Sequence, residues 1–319
     1  PPVTVALLAT DSLSGVAAVQ YRQQGAVTWT TGTLITVTGV DGAYTYEYRA
    51  QDVAGNVSPV QTITVTIDGT PPGQPANPSV VPSGWSNVNS FRLCWTNPAD
   101  PCGIEGVYYQ LDVDPIIGGV PIGPVTGRDI SCIPSVSVPS QGQHTIYFWL
   151  QDGAGNSDRY SREMLSNALK YDATSPNCDP VSIEGTVGED PSWYAGCITI
   201  TLSCNDTLSG IAAIYYQIEG QAGITVPVAG GPTTARHTFS LCDCGRKTIS
   251  YRVSDVAGNV QTASPVTVRV DREAPAAPIN ATVTPSGWSN TNNFTVCWTN
   301  PTECSGVVAA YYKKGSPPT

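Results

Sequence analysis

Histidine and methionine are nearly absent from this chain, and charged residues are scarce. The 319 residues include two histidines, one methionine and 13% charged residues. Neither His144 nor His237 lies in a Ser-His-Asp order, a nucleophile elbow or a His-Glu-x-x-His motif. The Gly-Gly pairs at residues 118–119 and 230–231 punctuate loops and form no phosphate-binding motif. We therefore expect the chain not to be an enzyme and to require no cofactor.

Long hydrophobic runs and excess positive charge are also missing. No apolar stretch approaches the ~20 residues that a membrane-spanning helix needs, so we expect no membrane insertion in this segment. Residues 1–5 do not resemble a signal peptide, because no basic stretch precedes an apolar one. The net charge of −10 repels phosphate backbones, so we expect no nucleic-acid partner.

Glycine, proline and cysteine are abundant, with 31, 27 and 10 residues respectively. This composition, rich in threonine and valine as well, favours strands and turns over helices. Ten cysteines with few histidines and no paired Cys-x-x-Cys motifs indicate disulfide bonds formed in an oxidising compartment. We expect an extracellular or cell-surface protein.

A short motif recurs along the chain at the spacing of one β-sandwich domain. Residues 51–56, 151–156 and 254–259 each contain an aspartate followed by Ala-Gly-Asn, and these aspartates lie 100 and 103 residues apart. Other landmarks recur at a single offset of 203 residues, which indicates a repeating pair of modules. The landmark pairs are Asp52 and Asp255, Trp85 and Trp288, and Cys94 and Cys297.

Module boundaries are predicted where a strand ends in an aspartate and a proline follows, because proline cannot continue a β-ladder. The predicted modules are 1–70, which lacks its first strand, 71–173, 174–273, and 274–319, which is a first half only. The proline-rich joints between them are predicted to be short and stiff.

The strand before each Ala-Gly-Asn turn alternates between large apolar and polar side chains, as in Ile146, Phe148 and Leu150. Such period-two alternation predicts one buried and one exposed face. No long helical pattern is found, although residues 160–168 could form a short helical turn. We predict an all-β fold of tandem sandwich modules, stapled by disulfides and arranged end to end.

The repeated sequence pattern resembles the bacterial immunoglobulin-like repeats of large surface proteins and adhesins. It runs Asp-x-x-Ser-Gly-Val, Tyr-Arg, Tyr-x-Tyr-Arg-Ala-x-Asp-x-Ala-Gly-Asn, and closes with Ile-Asp-x-Thr-Pro-Pro. The resemblance implies a seven-strand immunoglobulin-like sandwich, tandem stacking and a cell-surface location. It also implies partners among other copies of the chain or other cell-surface components.

Acidic residues recur at equivalent places in the modules, and we expect them to meet at the joints. Carboxylates that converge in this way are the ligands calcium prefers, and Asp172, Asp206 and Asp255 form the strongest predicted set. The alternative is that each aspartate caps its own turn by accepting nearby amides. The full candidate set is Asp11, Asp52, Asp68, Asp152, Asp172, Asp206, Asp255 and Asp271.

The cysteines are predicted to pair with near neighbours in the sequence, although sequence alone does not fix connectivity. The predicted pairs are Cys94–Cys102, Cys297–Cys304, Cys178–Cys197, and Cys204 with Cys242 or Cys244. This leaves Cys132 and one further cysteine, which could link modules or molecules. Zinc bound at residues 242–244 is an alternative.

Two sets of residues are candidates for contact with carbohydrate. Sequons predict possible N-glycosylation at Asn56, Asn205, Asn280 and Asn293. Trp85, Trp193 and Trp288 either stack on sugar rings or cover the ends of their own cores. The predicted function is a stiff structural or adhesive spacer in a surface filament, sheath or adhesin. The alternatives are a filament subunit with strand exchange, and accessory carbohydrate-binding modules of a secreted enzyme.

Overall fold

A computed structural model describes residues 2–315, and these residues are almost entirely in β-strands. Twenty-six strands and a single 3₁₀ helix, Arg159–Ser161, are found in this part of the chain. The all-β prediction is therefore confirmed. The chain forms two compact units that divide near residue 171.

The first predicted module contributes two small sheets to the first unit. Strand β1 pairs with β4, and a second sheet has the order β3-β2-β5-β6. Apolar residues of both sheets, including Ile35, Val37 and Val19, pack into one core. The strands are β1 Val3–Ala6, β2 Val16–Gln23, β3 Thr30–Thr31, β4 Leu34–Val37, β5 Gly42–Asp52 and β6 Gln61–Ile67.

The second predicted module follows with eight strands. One sheet has the order β12-β9-β7, and the other contains β11-β10-β13-β14. The rings of Trp95 on β9 and Phe148 on β13 lie 5.3 Å apart between these sheets. The strands are β7 Ala76–Val81, β8 Trp85–Ser86, β9 Phe91–Thr96, β10 Ile104–Leu111, β11 Ile122–Thr126, β12 Cys132–Val136, β13 Gly142–Asp152 and β14 Glu163–Tyr171.

The third predicted module is the most complete sandwich. Strand β18 pairs with β15, β16 and β21 in one sheet, and the facing sheet runs β17-β24-β22-β19-β20 with β23 beside β22. These pairings are those of an immunoglobulin-like Greek-key sandwich. The strands are β15 Asn177–Cys178, β16 Ser182–Glu184, β17 Tyr194–Ala195, β18 Ile198–Asn205, β19 Ile211–Ile218, β20 Ile224–Pro227, β21 Thr234–Leu241, β22 Gly245–Asp255, β23 Val260–Thr262 and β24 Val266–Asp271.

Up to residue 315, where the described part of the chain ends, the last predicted module contributes two paired strands, β25 Ile279–Thr284 and β26 Thr295–Thr299. Its apolar residues Phe294, Val296 and Trp298 are exposed. The residues 203 positions earlier, which include Phe91 and Trp95, are buried in the second module. An equivalent strand sequence therefore becomes a core face only where a second sheet covers it.

The predicted alternation of strand faces is confirmed where sheets face each other. Ile146, Phe148 and Leu150 on β13 are buried, and the corresponding residues of β22 are buried as well. The matching residues of β5, which include Tyr46 and Tyr48, are only half-buried. The first module thus has the same alternating sequence pattern, but its inward-facing strand residues are less completely buried.

Each Ala-Gly-Asn turn requires its glycine for a backbone reason. Gly55, Gly155 and Gly258 have φ values of 90°, 92° and 97°. This left-handed region is accessible to glycine at little cost and is unfavourable for residues with a Cβ atom. The repeated glycine is therefore explained by turn geometry.

The predicted helical turn at residues 160–168 is largely wrong. Only Arg159–Ser161 form a 3₁₀ turn, which Asp158 caps by accepting the Tyr160 amide. Residues from Glu163 onward form β14 instead. The sheet edge beside β13 provides hydrogen-bond partners that a helix there would forgo.

The disulfide bonds differ from all of the predicted pairs. Three bonds join cysteines that lie opposite each other on neighbouring strands or directly beyond their ends. A fourth links Cys244 with Cys304 across the third joint, and Cys102 and Cys297 are free. The first three pairs are Cys94–Cys132, Cys178–Cys204 and Cys197–Cys242.

No helix among residues 2–315 has both the length and the apolar character needed to cross a membrane.

Substituting Phe148 by alanine should destabilise the second module strongly. The side chain is fully buried against Trp95, so its removal leaves a cavity and should cost about 3–5 kcal/mol. The control Tyr160→Ala, at an exposed residue, should change stability by less than about 0.5 kcal/mol. Urea denaturation monitored by tryptophan fluorescence would measure both, and equal losses would contradict the assigned core.

Candidate functional site

The repeated turn is held by a paired contact between its aspartate and its asparagine. In each copy, one carboxylate oxygen accepts the asparagine backbone amide and the other accepts the side-chain amide. All six distances lie between 2.7 and 2.8 Å. We call this arrangement the Asp–Asn clamp, and its three copies are Asp52–Asn56, Asp152–Asn156 and Asp255–Asn259.

Two of the clamps also hold the chain segment that enters their module. The Asn156 side-chain amide donates to the carbonyl of Asp68 at 3.0 Å. The Asn259 amide donates to the carbonyl of Asp172 at 2.9 Å and to that of Thr174 at 3.3 Å. One asparagine thus fixes both its own turn and the preceding joint.

The predicted trio Asp172, Asp206 and Asp255 comes together in the second unit. Oxygen atoms of the three carboxylates lie within 4.8 Å of one another. The residues are only 0%, 4% and 2% exposed. The recurrence of these aspartates in the sequence predicts that they come together, and the structure confirms this convergence.

A matching cluster lies in the first unit, formed by Asp68, Asp100 and Asp152. Asp100 is not in the predicted set, since the corresponding loop of the second module offers only this carboxylate, beside Pro101. It nevertheless accepts the Cys102 amide at 3.0 Å and lies where Asp206 lies in the third module. Asp100 lies two residues after Pro98, in the loop that follows β9. This position after the strand is the sequence feature from which it could have been predicted.

Both clusters raise the pKa of one member. Burial raises the pKa of Asp255, and repulsion from Asp172 adds to it. Burial also raises the pKa of Asp100, with repulsion from Asp152 and Asp68. None of the ion pairs found within residues 2–315 involves these carboxylates. They accept hydrogen bonds from backbone amides and from the side-chain amides of the clamp asparagines instead.

The geometry suits both predicted roles of these aspartates. Each joint aspartate accepts the amide two residues ahead, as expected of a cap, at 3.1 Å for Asp68 and 2.9 Å for Asp172. Three carboxylates and nearby carbonyls are also the oxygen ligands that a calcium ion takes. Capping is thus observed, and calcium binding stays a prediction.

The other predicted carboxylates lie outside these trios. Asp11 accepts the amides of Leu13 and Gly15 at 3.0 and 2.7 Å, and these contacts hold its pKa below the usual range. Asp271 groups with Cys244 and Cys304 instead. A hydrogen bond with Glu303 lowers the pKa of Asp271.

Cys102 lies beside the first cluster as a free thiol. Its hydrogen bond to Asp68 raises the pKa of the thiol to about 11, and burial and the nearby carboxylates add to this. The predicted bond Cys94–Cys102 is wrong because Cys94 pairs across the sheet with Cys132. The thiol stays protonated at neutral pH and is a poor nucleophile.

The remaining candidates are spread over the surface. Trp288 is fully exposed, whereas Trp85 and Trp193 are half-buried. Asn280 and Asn293 are exposed, and Asn205 is half-buried. The Asn56 side chain is engaged in its clamp, so this sequon offers an amide that is already bonded.

Comparisons with known proteins find partial relatives. The chain is 29% identical over 250 residues to exoglucanase B of Cellulomonas fimi, covering 76% of this chain and 22% of that protein. It is 29% identical over 284 residues to endoglucanase B of Cellulomonas fimi, covering 81% of this chain and 25% of that protein. It is 32% identical over 182 residues to chitinase A1 of Niallia circulans, covering 53% of this chain and 24% of that protein.

The chain therefore spans about a quarter of the length of these curated relatives. No family model matches the sequence. Among solved structures, the FN1-FN3 domains of chicken CNTN1 align with a TM-score of 0.33 at 12% identity, covering 85% of this chain and 95% of that chain.

Calcium should raise the melting temperature if the carboxylate clusters bind it. Binding to the folded state alone stabilises it by about 2.7 kcal/mol at a hundredfold excess over Kd. The double variant Asp100→Asn, Asp206→Asn should lose this shift. Asp11→Asn should retain it, because Asp11 accepts the same kind of turn amides outside the trios. Identical melting curves in calcium and in chelator would leave only the capping role.

The contributions of two clamp aspartates to folding stability should depend on pH in opposite directions. The Asn56 contacts lower the pKa of Asp52, so its stabilising contribution is present above the unfolded pKa of ~3.9 and is lost as pH falls. Burial raises the pKa of Asp255, so its contribution is present below that pKa and is lost as pH rises through the folded value. Urea denaturation without calcium between pH 3 and 7 would measure both effects. Asp52→Asn should remove the loss of stability at falling pH, and Asp255→Asn should remove the loss of stability at rising pH. Parallel changes in both variants would contradict the assignment.

Proposed function

We propose that this chain is a non-catalytic, extracellular run of immunoglobulin-like modules that serves as a stiff spacer. The observation that carries the proposal is the bond from two of the three clamp asparagines, Asn156 and Asn259, to the joint that precedes their module. A joint fixed by hydrogen bonds and bounded by prolines resists bending more than a flexible linker does.

Covalent links support the same function. Three disulfides each link neighbouring strands of one sheet, and the fourth joins the third module to the segment after β26 in the fourth. Such bonds persist in oxidising surroundings, which favours an extracellular location. They would also oppose proteolysis, since local opening exposes less chain when strands are cross-linked.

The relatives favour a specific setting for such a spacer. All three are named as enzymes acting on glucan or chitin, and each matches this chain over about a quarter of its own length. A segment of that size suits an accessory region of a secreted polysaccharide-degrading enzyme. A surface filament or adhesin remains the second candidate, favoured by the repeating module pair.

The spacer proposal predicts an extended molecule in solution. A compact globule of this length would have a radius of gyration of ~20 Å, whereas stiff end-to-end modules should exceed ~30 Å, given about 35 Å per module. Small-angle X-ray scattering would measure this radius. A value near that of the globule would contradict the proposal.

The clamp should be what stiffens the first joint. Asn156→Ala removes the clamp and the bond to Asp68, so hydrogen exchange at residues 68–76 should speed up at least tenfold. Asn56→Ala removes a clamp that has no described bond to a preceding joint and should leave those amides unchanged. Equal exchange at residues 68–76 in the wild-type chain and Asn156→Ala would contradict the role of the clamp.

A further inference from the structure

A cavity of about 380 Å³ lies in the second module, apart from the carboxylate clusters. It is on the outer face of the β10–β13 sheet, the face opposite Phe148 and the core. Aromatic, amide, hydroxyl and guanidinium groups surround it together. The residues that carry the argument are Tyr108, Gln110, Trp149, Ser157 and Arg159.

Two stacked rings form one wall of this cavity. Tyr108 and Trp149 lie opposite each other in register, with ring centroids 5.5 Å apart and planes inclined by 14°. Trp149 is only 5% exposed although it points away from the core. This aromatic pair lies outside the sandwich core, and its half-buried member Tyr108 offers the accessible part of the wall to a ligand.

Gln110 provides an unused acceptor at the same place. The residue is 4% exposed, and its amide nitrogen donates to the carbonyls of Val113 and Gly118 at 2.9 and 2.7 Å. Its side-chain oxygen is buried and has no hydrogen-bond partner in the structure. Buried polar atoms are nearly always paired in folded proteins, so this oxygen indicates a missing donor.

The loop above the cavity is pre-organised. Residues 112–121 connect β10 to β11. Asp114 pairs with Arg162 at 2.5 Å, and Arg159 donates to the Pro115 carbonyl at 3.3 Å. Gly119 lies so close to the Gln110 amide that a Cβ there would overlap it. The loop is therefore fixed to both the sheet and the segment after β13.

The third module shows what this position looks like without a cavity. There the loop between β19 and β20 has five residues instead of ten. The counterpart of Trp149 is Arg252, which stacks over the Tyr215 ring at 4.6 Å. The counterpart of Gln110 is the exposed Gln217, whose oxygen faces the Tyr215 hydroxyl at 3.5 Å. Of the second and third modules, only the second combines the longer loop, the two rings and the unpaired amide oxygen.

We propose that this cavity binds a pyranose ring of a neutral polysaccharide. The C–H face of the sugar packs against the aromatic wall, and a ring hydroxyl donates to the Gln110 oxygen. Ser157 and Arg159 donate to further hydroxyls at the rim. Flat apolar contact combined with a few fixed polar groups is the general composition of small-molecule sites. The cavity volume fits one or two sugar rings.

The test uses the whole chain with cellohexaose and chitohexaose, measured by NMR titration and isothermal calorimetry. One or both sugars should bind at a single site and shift the side-chain amide signals of Gln110 but not those of Gln217. Tyr108→Ala and the exposed Arg159→Ala should each weaken binding at least tenfold. The matched control Tyr215→Ala should leave affinity unchanged, and circular dichroism melting would confirm that every variant is folded.

Two results would overturn the proposal. The first is that neither sugar binds at concentrations up to about 10 mM. At that concentration even a weak dissociation constant of ~1 mM, as expected of a site with few contacts, would give visible binding. The other is binding that folded Arg159→Ala and Tyr108→Ala leave unchanged. Neither result bears on the spacer function, which the scattering and exchange measurements test separately.

Discussion

In the second and third modules, the side-chain amide of one asparagine couples a turn to the joint that precedes the module, and the position of the carboxylate clusters depends on this contact. An amide NH₂ group has two donors. In Asn156 one goes to Asp152 of its own turn and the other to the carbonyl of Asp68, and Asn259 repeats the arrangement. The backbone of the joint is thereby brought against the turn, and with it comes the carboxylate of the joint aspartate.

Clustering of carboxylates is the electrostatic consequence of that coupling. Three negative groups in one buried place repel each other and are costly to desolvate. Turn amides offset part of this cost, since Asp206 accepts the amides of Leu208 and Gly210 at 3.1 and 2.7 Å. The raised pKa of Asp255 shows that the offset is incomplete. Either a proton or a cation would relieve the remaining repulsion, so acid and the predicted calcium ion would act on the same charges.

Sequence reasoning succeeded wherever repetition carried the information. The alternating faces of β13 and β22 and the trio at Asp172 both follow from residues that recur at fixed offsets. The disulfides could not be predicted in this way, because they depend on strand register. Cys94 faces Cys132 across a ladder that joins strands 38 residues apart in the chain, and nearness in sequence pointed to Cys102 instead.

The cavity on the outer face of the second module could not be predicted from the sequence for a related reason. Tyr108 and Gln110 have counterparts in Tyr215 and Gln217, so the repeat alone makes them look like ordinary strand residues. What differs is the partner strand, which has Trp149 where the third module has Arg252, and the loop, which is longer by five residues. A guanidinium over the Tyr215 ring closes that face, whereas a second aromatic ring leaves room beside it. Specific function in a repetitive chain is thus best sought where copies with the same core differ on the outside.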